Sequence, residues 1–490
     1  MDRSPVSALG GPPDVRPGGD EADRAAVAEP REVGAPPAGP GAGDLVEVAV
    51  DRIAHGGDCV GRADGLVVFV PRTAPGDRAR VRLTERHPRW ARGRAEALIE
   101  PAELRVTPGC AIYDRCGGCQ LQHLPIEAQR AAKADAVADA LERIARRSPP
   151  GPVECRPAAD PWHYRQRAVL TWRAAGARLA LGFHDWDELA AVVPLVACPI
   201  LDEAGNRALA GLAGGLVRAL GLEDTAPPGT SVPRGEGPEG RLAVRVLPGG
   251  AVDAGVFAAD AGTARRLAES CAEVSGLAVT WGLWRPPAPL ALAPGAPRLE
   301  TRFDYRGLTL RAGFDAFLQA DLHAAERLYD AVLEALEPAP GDRVVDGYAG
   351  IGVVTAHLSA AGAVVTAVES HPGAASDLRA NAAAAEAAGG AQVHVLEIPA
   401  ERMDWAKPQP RAVVLNPPRG GCPPRALASI GRSTAERIVY VACDPATLAR
   451  DVKRLGAAWR LDAVTAYDLF PQTAHVETVA RLSRQRRRAA

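Results

Sequence analysis

The sequence has no run of about eighteen apolar residues, the length that a helix needs to cross a membrane. Its first residues also lack the basic segment followed by an apolar one that marks an export signal. Its nine cysteines are an odd number and sparse in 490 residues, which argues against a disulfide framework and favours catalytic or metal-binding thiols. We therefore expect a cytoplasmic monomer with no membrane partner.

Lysine is almost absent as well, since Lys133, Lys407 and Lys453 are the only three and arginine carries nearly all the positive charge. The net charge of -2 is uninformative as a sum. Locally the balance differs, because eight arginines stand between Arg72 and Arg94 with only two acidic residues among them. This excess of six positive charges suits binding to a phosphate backbone; the alternative is a solvated basic face.

Hydrophobic residues make up 47% of the chain, enough for several packed cores, and the sequence patterns divide it into four segments. Residues 1–43 are rich in Gly, Pro and Ala without any periodicity, and we expect a disordered tail. Residues 44–102 contain four or five short strand patterns, which predict a small OB-like β-barrel. Residues 103–300 mix helical and strand patterns and predict an α+β central domain. In residues 301–490 strands and helices alternate, which predicts a Rossmann-like α/β domain.

Three cysteines stand close together at the start of the central segment. Cys110, Cys116 and Cys119 are spaced x5 and x2, with two glycines that let the backbone turn all three thiols toward one centre. A closed site needs a fourth ligand, and Cys198 is the best candidate because it lies in a turn-like context before a proline. Four thiolates can hold a [4Fe–4S] cluster or a zinc ion, and spacing alone does not separate the two.

A glycine-rich turn follows the first clear strand of the last segment. Asp346 ends this strand, Gly350 and Gly352 lie in the turn, and Glu369 ends the second strand. The glycines allow a ligand to approach the backbone, and an acid at the end of the second strand can accept hydrogen bonds from ribose hydroxyls. This form of the turn favours an S-adenosylmethionine-dependent methyltransferase over a dinucleotide-binding enzyme.

Near the end of the chain a cysteine stands between a strand pattern and a helix pattern. Residues 438–442 are apolar and rich in β-formers, and Pro445 suits the first turn of a helix, so Cys443 falls at the junction. A thiol beside a helix N-terminus has its thiolate favoured by the helix dipole, as a nucleophile requires. The alternative is a small buried hydrophobic residue.

The motifs occur in a fixed order between about residue 44 and residue 483. They comprise the Cys110–Cys119 group with Gln122 and His123, Tyr164–Ala168, Phe317–Gln319, Asp346–Gly352, Asn416–Gly421, Cys443–Asp451, and Phe470-Pro471 with His475–Thr478. This set resembles the RNA uracil-C5 methyltransferase family, and the N-terminal barrel resembles its TRAM domain.

The resemblance implies a mechanism and a set of site residues. Cys443 would be the nucleophile and Glu477 the base, because uracil C5 accepts a methyl group only after a thiolate adds to C6, and its proton must then be removed. The cofactor S-adenosylmethionine would lie among Gln319, Tyr348, Glu369 and Asn416. The resemblance also implies a [4Fe–4S] cluster on Cys110, Cys116, Cys119 and Cys198.

The chain departs from the family pattern at a few positions. Asn416 stands where the family usually has Asp, Asp444 and Asp321 stand where Asn is usual or frequent, and Ala349 replaces a frequent Cys. The first change removes a charge at the junction of cofactor and substrate. None of them removes Cys443 or Glu477.

The expected substrate is RNA. Ribosomal RNA, in particular 23S RNA, is favoured because the barrel and the four cysteines resemble the ribosomal branch of the family, and transfer RNA is the alternative. Methylation of an amine on a base is another reading of the Asn-Pro-Pro motif, but Arg419 follows it where an aromatic residue is usual. A non-catalytic RNA-binding protein with a relic cofactor fold is the alternative of a different class.

Overall fold

The structure, a computed structural model, describes residues 39–158 and 160–485. The predicted disordered tail therefore lies largely outside the described residues. Its last few residues are attached to the barrel, since the Gly43 amide donates a hydrogen bond to the Leu83 carbonyl at 2.8 Å.

The N-terminal segment forms a closed five-stranded barrel in the order β1-β2-β3-β5-β4. Along β4 every second side chain is buried, with Ala79, Val81 and Leu83 inside and the arginines between them outside, as the period of a strand requires. The predicted OB-like barrel is thus confirmed, including a strand that the sequence patterns left unassigned. The strands are β1 (Leu45–Ile53), β2 (Cys59–Ala63), β3 (Leu66–Val70), β4 (Arg78–Arg86) and β5 (Trp90–Glu100).

The next elements pack against the C-terminal domain rather than the central sheet. They are α1 (Ile126–Ala140), a π-helical turn (Leu141–Ala145) and β6 (Glu154–Pro157). Val137 and Leu141 share a core with Ile438 and Tyr440. The buried Lys133 ammonium lies 2.5 Å from Asp468 Oδ1, so a charged pair also joins helix α1 to this domain.

The central domain is a mixed sheet with two helices on one face. Leu170 and Trp172 face those helices with Leu212 and Leu267, whereas the arginines of the same sheet face the other side. Its elements are β7 (Arg167–Ala175), β8 (Arg178–His184), β9 (Val192–Pro194), α2 (Glu203–Leu220), β10 (Asp224–Thr225), β11 (Glu239–Val246), β12 (Val252–Ala258), α3 (Ala261–Ser275), β13 (Ala278–Leu283) and β14 (Ala291–Leu292).

A hairpin joins the central domain to the C-terminal one. It consists of β15 (Glu300–Tyr305) and β16 (Leu308–Gly313). The fully buried carboxylate of Asp377 anchors it, because Arg298 and Arg311 donate to Asp377 at 2.7 Å and 3.0 Å.

The C-terminal domain contains the parallel sheet that the sequence predicts, in the order β19-β18-β17-β20-β21-β23-β22-β6. Strands β17 to β21 are parallel, so their carboxyl ends meet at one edge, and the last strand, β23, runs antiparallel between β21 and β22. The elements are α4 (Leu322–Leu336), β17 (Arg343–Gly347), α5 (Val353–Ala360), β18 (Val364–Val368), α6 (Pro372–Ala387), β19 (Val393–Leu396), β20 (Ala412–Leu415), α7 (Pro424–Arg432), β21 (Arg437–Ala442), α8 (Pro445–Leu455), β22 (Trp459–Asp468) and β23 (Glu477–Arg484).

No helix in the described part of the chain combines the length and the apolar character that spanning a membrane requires.

Candidate active site

A single cavity of about 1300 Å³ opens at the carboxyl edge of the parallel sheet. All ten residues that the sequence predicts for the site line it, although they come from distant parts of the chain. They are Cys110, Cys116, Cys119, Cys198, Gln319, Tyr348, Glu369, Asn416, Cys443 and Glu477.

One part of this cavity is formed by the glycine-rich turn between β17 and α5. Gly350 and Gly352 have positive φ angles of 58° and 86°, and Tyr348 also has a positive φ, of 62°. Glu369 holds the turn, because its Oε2 accepts a hydrogen bond from the Gly350 amide at 2.9 Å. Burial raises the pKa of Asp346 to about 7, and its Oδ2 accepts a hydrogen bond from the Thr355 hydroxyl at 2.6 Å.

Two buried polar atoms at this end of the cavity have no hydrogen-bond partner among the described residues. They are Oε1 of Gln319 and the hydroxyl of Tyr348, which is buried beside the Cys422 thiol. Buried polar atoms rarely stay unpaired, so a ligand with hydrogen-bonding groups is expected here. A cofactor with ribose hydroxyls and an amino group fits these residues.

The predicted nucleophile and base face each other across a pair of strands. In the antiparallel ladder of β21 and β23, Ala442 pairs with Thr478. Extending this register by one residue places Cys443 opposite Glu477. Directly opposite residues in antiparallel strands have Cβ atoms about 5 Å apart, so the thiol and the carboxyl group are expected to lie close together, and both line the cavity.

Burial dominates the protonation of this pair. It raises the pKa of Cys443 to about 12, to which the Glu477 and Asp444 charges add, whereas the Arg419 guanidinium lowers it. Burial also raises the pKa of Glu477 to about 8, again opposed by Arg419. Desolvation thus opposes the thiolate, which the N-terminus of α8 and the Arg419 guanidinium favour.

Arg419, which the sequence analysis used only as part of a motif, lines the cavity beside the predicted pair. It follows the Asn-Pro-Pro turn after β20, and its Nη2 lies 3.2 Å and 3.3 Å from the two ring nitrogens of His475. Burial, with Arg419 next in effect, lowers the pKa of His475 to about 3. The neutral imidazole can therefore accept a hydrogen bond from Arg419 while remaining a weak base.

Two of the departures from the family pattern have local roles in capping helices. Asp321 Oδ1 accepts a hydrogen bond from the Ala324 amide at 2.9 Å and begins α4. Asp444 Oδ1 accepts one from the Thr447 amide at 2.7 Å and begins α8 directly behind Cys443. Asp and Asn are comparable N-caps, so these exchanges keep both helix starts intact. Asn416 lines the cavity, and its backbone amide donates a hydrogen bond to the Gly347 carbonyl.

The four cysteines line the same cavity. Cys110, Cys119 and Cys198 pack in one cluster, and burial raises the pKa of all four thiols, of Cys119 to about 12. Among residues 39–158 and 160–485, however, no group of three or more His, Cys, Asp or Glu side chains is arranged to hold a metal ion. The structure thus brings the four thiols to one cavity without showing a metal site.

The backbone around these cysteines is held by neighbouring side chains. The amide of Cys110 donates to Gln122 Oε1 at 3.1 Å, and the amide of Cys198 donates to Asn206 Oδ1 at 2.8 Å. Arg72 of the barrel donates to the Cys116 carbonyl at 2.8 Å. Arg72 of the barrel is therefore engaged by the cysteine segment.

The basic stretch of the barrel is less positive than its sequence suggests. Besides Arg72, four of its eight arginines have carboxylate partners, which leaves Arg80, Arg86 and Arg89 without one in the part of the chain that is described. The ion pairs are Arg78 with Glu47 and Glu100, Arg82 with Glu96, Arg92 with Asp58, and Arg94 with Asp187.

Residues 162–167, a stretch of aromatic residues and arginines that leads into β7, contact loops of the site. The Tyr164 hydroxyl donates to the Pro471 carbonyl at 3.0 Å, and the buried Arg167 donates to the Ala316 carbonyl at 2.8 Å. These contacts hold the loops that precede Glu477 and Gln319. Because Tyr164 is buried, its ring is not available for stacking on a base.

The parallel sheet, the glycine-rich turn with Glu369 and the unpaired polar atoms define a Rossmann-like, S-adenosylmethionine-dependent methyltransferase. The family profile described as tRNA (Uracil-5-)-methyltransferase matches residues 300–485, and that of the TRAM domain matches residues 42–95. The chain belongs to the RNA uracil-C5 methyltransferase family, as its motifs predict.

Similar proteins match over almost their full length. An uncharacterized RNA methyltransferase of Thermosynechococcus vestitus is 32% identical, with 90% of this chain and 98% of that one covered. The 23S rRNA (uracil(1939)-C(5))-methyltransferase RlmD of Methylococcus capsulatus is 31% identical, with coverages of 88% and 95%. The crystal structure of Pyrococcus abyssi tRNA (uracil-54, C5)-methyltransferase in complex with S-adenosyl-L-homocysteine shares the fold, with a TM-score of 0.67, 24% identity and coverages of 89% and 99%.

Proposed function

We propose that this protein forms 5-methyluridine in 23S ribosomal RNA, with Cys443 as nucleophile and Glu477 as base. The observation that carries the proposal is the register of β21 and β23, which sets Cys443 opposite Glu477 in the cavity that also contains the unpaired Gln319 oxygen. Gln319, Tyr348, Glu369 and Asn416 would hold S-adenosylmethionine, which supplies an electrophilic methyl group when bound.

The side chains perform two steps on the uracil ring. Cys443 Sγ adds to C6, forming a C–S bond and moving the C5–C6 electron pair so that C5 becomes nucleophilic. The Arg419 guanidinium, by opposing the rise in the thiol pKa, favours the thiolate that attacks. Once C5 carries the methyl group, Glu477 removes the C5 proton, the C5–C6 double bond re-forms, and the C–S bond breaks with its electron pair returning to sulfur.

Glu477 suits the base role better than its neighbour His475. The buried carboxylate has its pKa raised to about 8, close to a working pH, whereas His475 has its pKa lowered to about 3. Because an efficient general base has a pKa near the working pH, the carboxylate is the stronger candidate.

The substrate is tested by mapping 5-methyluridine in the ribosomal and transfer RNA of a strain that lacks the gene. Loss of one modified uridine from 23S RNA, restored by the wild-type gene, is the expected result. Loss from transfer RNA would instead support the alternative suggested by the name of the matching family profile. Unchanged RNA in the deletion strain, and no methylation of unmodified transcripts by the purified protein, would support the non-catalytic RNA-binding alternative.

For the four cysteines we propose a [4Fe–4S] cluster rather than zinc. The motif set that carries the family resemblance implies a cluster, and Cys110, Cys116, Cys119 and Cys198 all line the same cavity. A cluster of four irons and four sulfides is wider than one zinc ion and fits thiols that face a common space.

Protein purified without oxygen should be brown and contain close to four irons and four sulfides per chain. Cys198→Ser should lose most of this iron, because one ligand of the cluster is removed. Cys155→Ser is the matched control, since Cys155 lies on β6 outside this group, and it should keep the full iron content. Stoichiometric zinc without sulfide would show that the cluster assignment is wrong.

Binding of RNA by the barrel should depend on its unpaired arginines. Arg80 and Arg89 are exposed and have no carboxylate partner in the described chain, so we expect each change to Gln to lower the slope of log K against log salt by about one. Arg265→Gln, on α3 and paired with Glu269, should leave the slope unchanged. This slope is measured by filter binding of a 23S RNA fragment at salt concentrations from low to moderate. Equal slopes for wild type and all variants would show that another surface contacts the RNA.

A further inference from the structure

A hairpin of the barrel contacts Asp444, the residue that follows the proposed nucleophile Cys443. Residues 54–58 connect β1 to β2, and His55 Nε2 in this turn lies 3.2 Å from Oδ2 of Asp444. A carboxylate has no proton to give, so the imidazole N–H donates this hydrogen bond. Both side chains are partly exposed, at 46% for His55 and 29% for Asp444, so the contact lies at the edge of the site rather than within a core.

Asp444 connects this hairpin to α8, the helix that follows Cys443, through hydrogen bonds to both. Its other oxygen, Oδ1, caps α8 through the Thr447 amide, and Asp444 directly follows Cys443. The Thr447 hydroxyl in turn donates to the Arg419 carbonyl at 2.9 Å. The position of Asp444 is thus linked both to the thiol and to the loop with the guanidinium that favours the thiolate.

The negative charge of Asp444 disfavours the thiolate form of Cys443. Although burial alone would raise it, the hydrogen bonds from His55 and the Thr447 amide hold the pKa of Asp444 at about 2, so the carboxylate stays ionised. That negative charge raises the pKa of the neighbouring Cys443 thiol, after burial and Glu477. The hydrogen bond from His55 binds this charge at Oδ2, the oxygen that does not cap α8.

The same hairpin also contacts the segment that leads to the base. Gly57 has a φ of +90°, and a Cβ built on it would lie only 2.9 Å from the Cβ of Ala474. Ala474 stands three residues before Glu477. The hairpin therefore touches both segments of the site, one behind the nucleophile and one before the base.

We propose that His55 is a positioning residue for methyl transfer: by holding Asp444, it orients the start of α8 and offsets the charge beside Cys443, so that the barrel helps to prepare the nucleophile. The inference rests on the proposed role of Cys443. It assigns the barrel a task at the reacting centre in addition to binding RNA.

The test compares His55→Ala, His55→Gln, Asp444→Asn and the double variant His55→Ala/Asp444→Asn. The matched control is His87→Ala, because His87 is a second histidine of the barrel, paired with Glu85 and not with Asp444. Two rates are measured. One is alkylation of Cys443 by iodoacetamide as a function of pH, followed by mass spectrometry of its peptide. The other is formation of the covalent adduct with a 23S RNA transcript containing 5-fluorouridine in place of uridine.

We expect His55→Ala to move the pH midpoint of alkylation upward by up to about one unit and to slow adduct formation by about tenfold, since one pKa unit is a tenfold change in thiolate at neutral pH. RNA affinity should change by less than about twofold. His55→Gln, whose amide can still donate, and the double variant, which keeps the helix cap without the charge, should recover most of the rate.

Two results would overturn the inference. One is a His55→Ala variant that matches wild type and His87→Ala in both rates; the other is a double variant as slow as His55→Ala, which would indicate a general loss of packing. Failure of the proposed function is distinguishable, because wild type would then form no adduct with the fluorinated RNA. Alkylation needs no RNA and would still decide the role of His55.

Discussion

Replacing Cys443 by Ala should abolish methyl transfer while S-adenosylmethionine binding persists. The thiol supplies the bond to C6 that makes C5 reactive, and no other thiol in the described chain stands opposite Glu477, so the rate should fall by at least about three orders of magnitude. Gln319 and Glu369, proposed to bind the cofactor, lie on loops that end other strands, and they should be undisturbed.

Transfer of a labelled methyl group to a 23S RNA transcript measures the loss, and calorimetric titration measures cofactor binding, which should stay within about twofold of wild type. Cys155→Ser is the matched control and should remain active. A Cys443→Ala protein that retains more than about a tenth of wild-type turnover would contradict the covalent mechanism, because no side chain would then be needed to activate C5.

Glu477→Gln should stop the reaction at a later point. The thiolate still adds and the methyl group is still transferred, but the C5 proton has no acceptor, so the thiol cannot leave and the protein stays attached to RNA. On a denaturing gel this adduct should appear as a shifted protein band that requires S-adenosylmethionine. It should be absent from the double variant Cys443→Ala/Glu477→Gln.

The pH dependence provides a second measure of the same residue. A base works only when deprotonated, and burial raises the pKa of Glu477 to about 8. Product release by wild type should therefore increase with pH up to about 8 and then level off. Normal turnover by Glu477→Gln, or failure to form any adduct, would remove Glu477 from the base role and leave His475 as the next residue to replace.

The cysteine chemistry and the cofactor turn could be predicted because their signals are local. The apolar strand before Cys443, the proline after it and the glycines of the 346–352 turn each determine a short piece of backbone. The spacing of the first three cysteines likewise belongs to one loop. For the same reason the sequence alone predicted the closed barrel and the parallel sheet, whose strand and helix patterns repeat along the chain.

Other features needed the folded chain because they depend on which charges meet. The arginines of β4 and β5 read as a free basic surface, yet four of the eight in that stretch are neutralised by carboxylates, including Asp187 of the central domain. Arg72 belongs to the cysteine segment for the same reason. Net charge along a sequence does not show such pairings, since the partners are separated by many residues.

The sequence by itself determined the family, and it predicted the nucleophile at its strand end and the glycine-rich turn for the cofactor. The tertiary structure decided that Cys443 stands opposite Glu477, that burial raises the pKa of both, and that His55 of the barrel reaches Asp444. The physical reason is the range of the interactions: strand, turn and capping preferences act over a few neighbouring residues, whereas strand register, desolvation and ion pairing arise only when distant segments pack together.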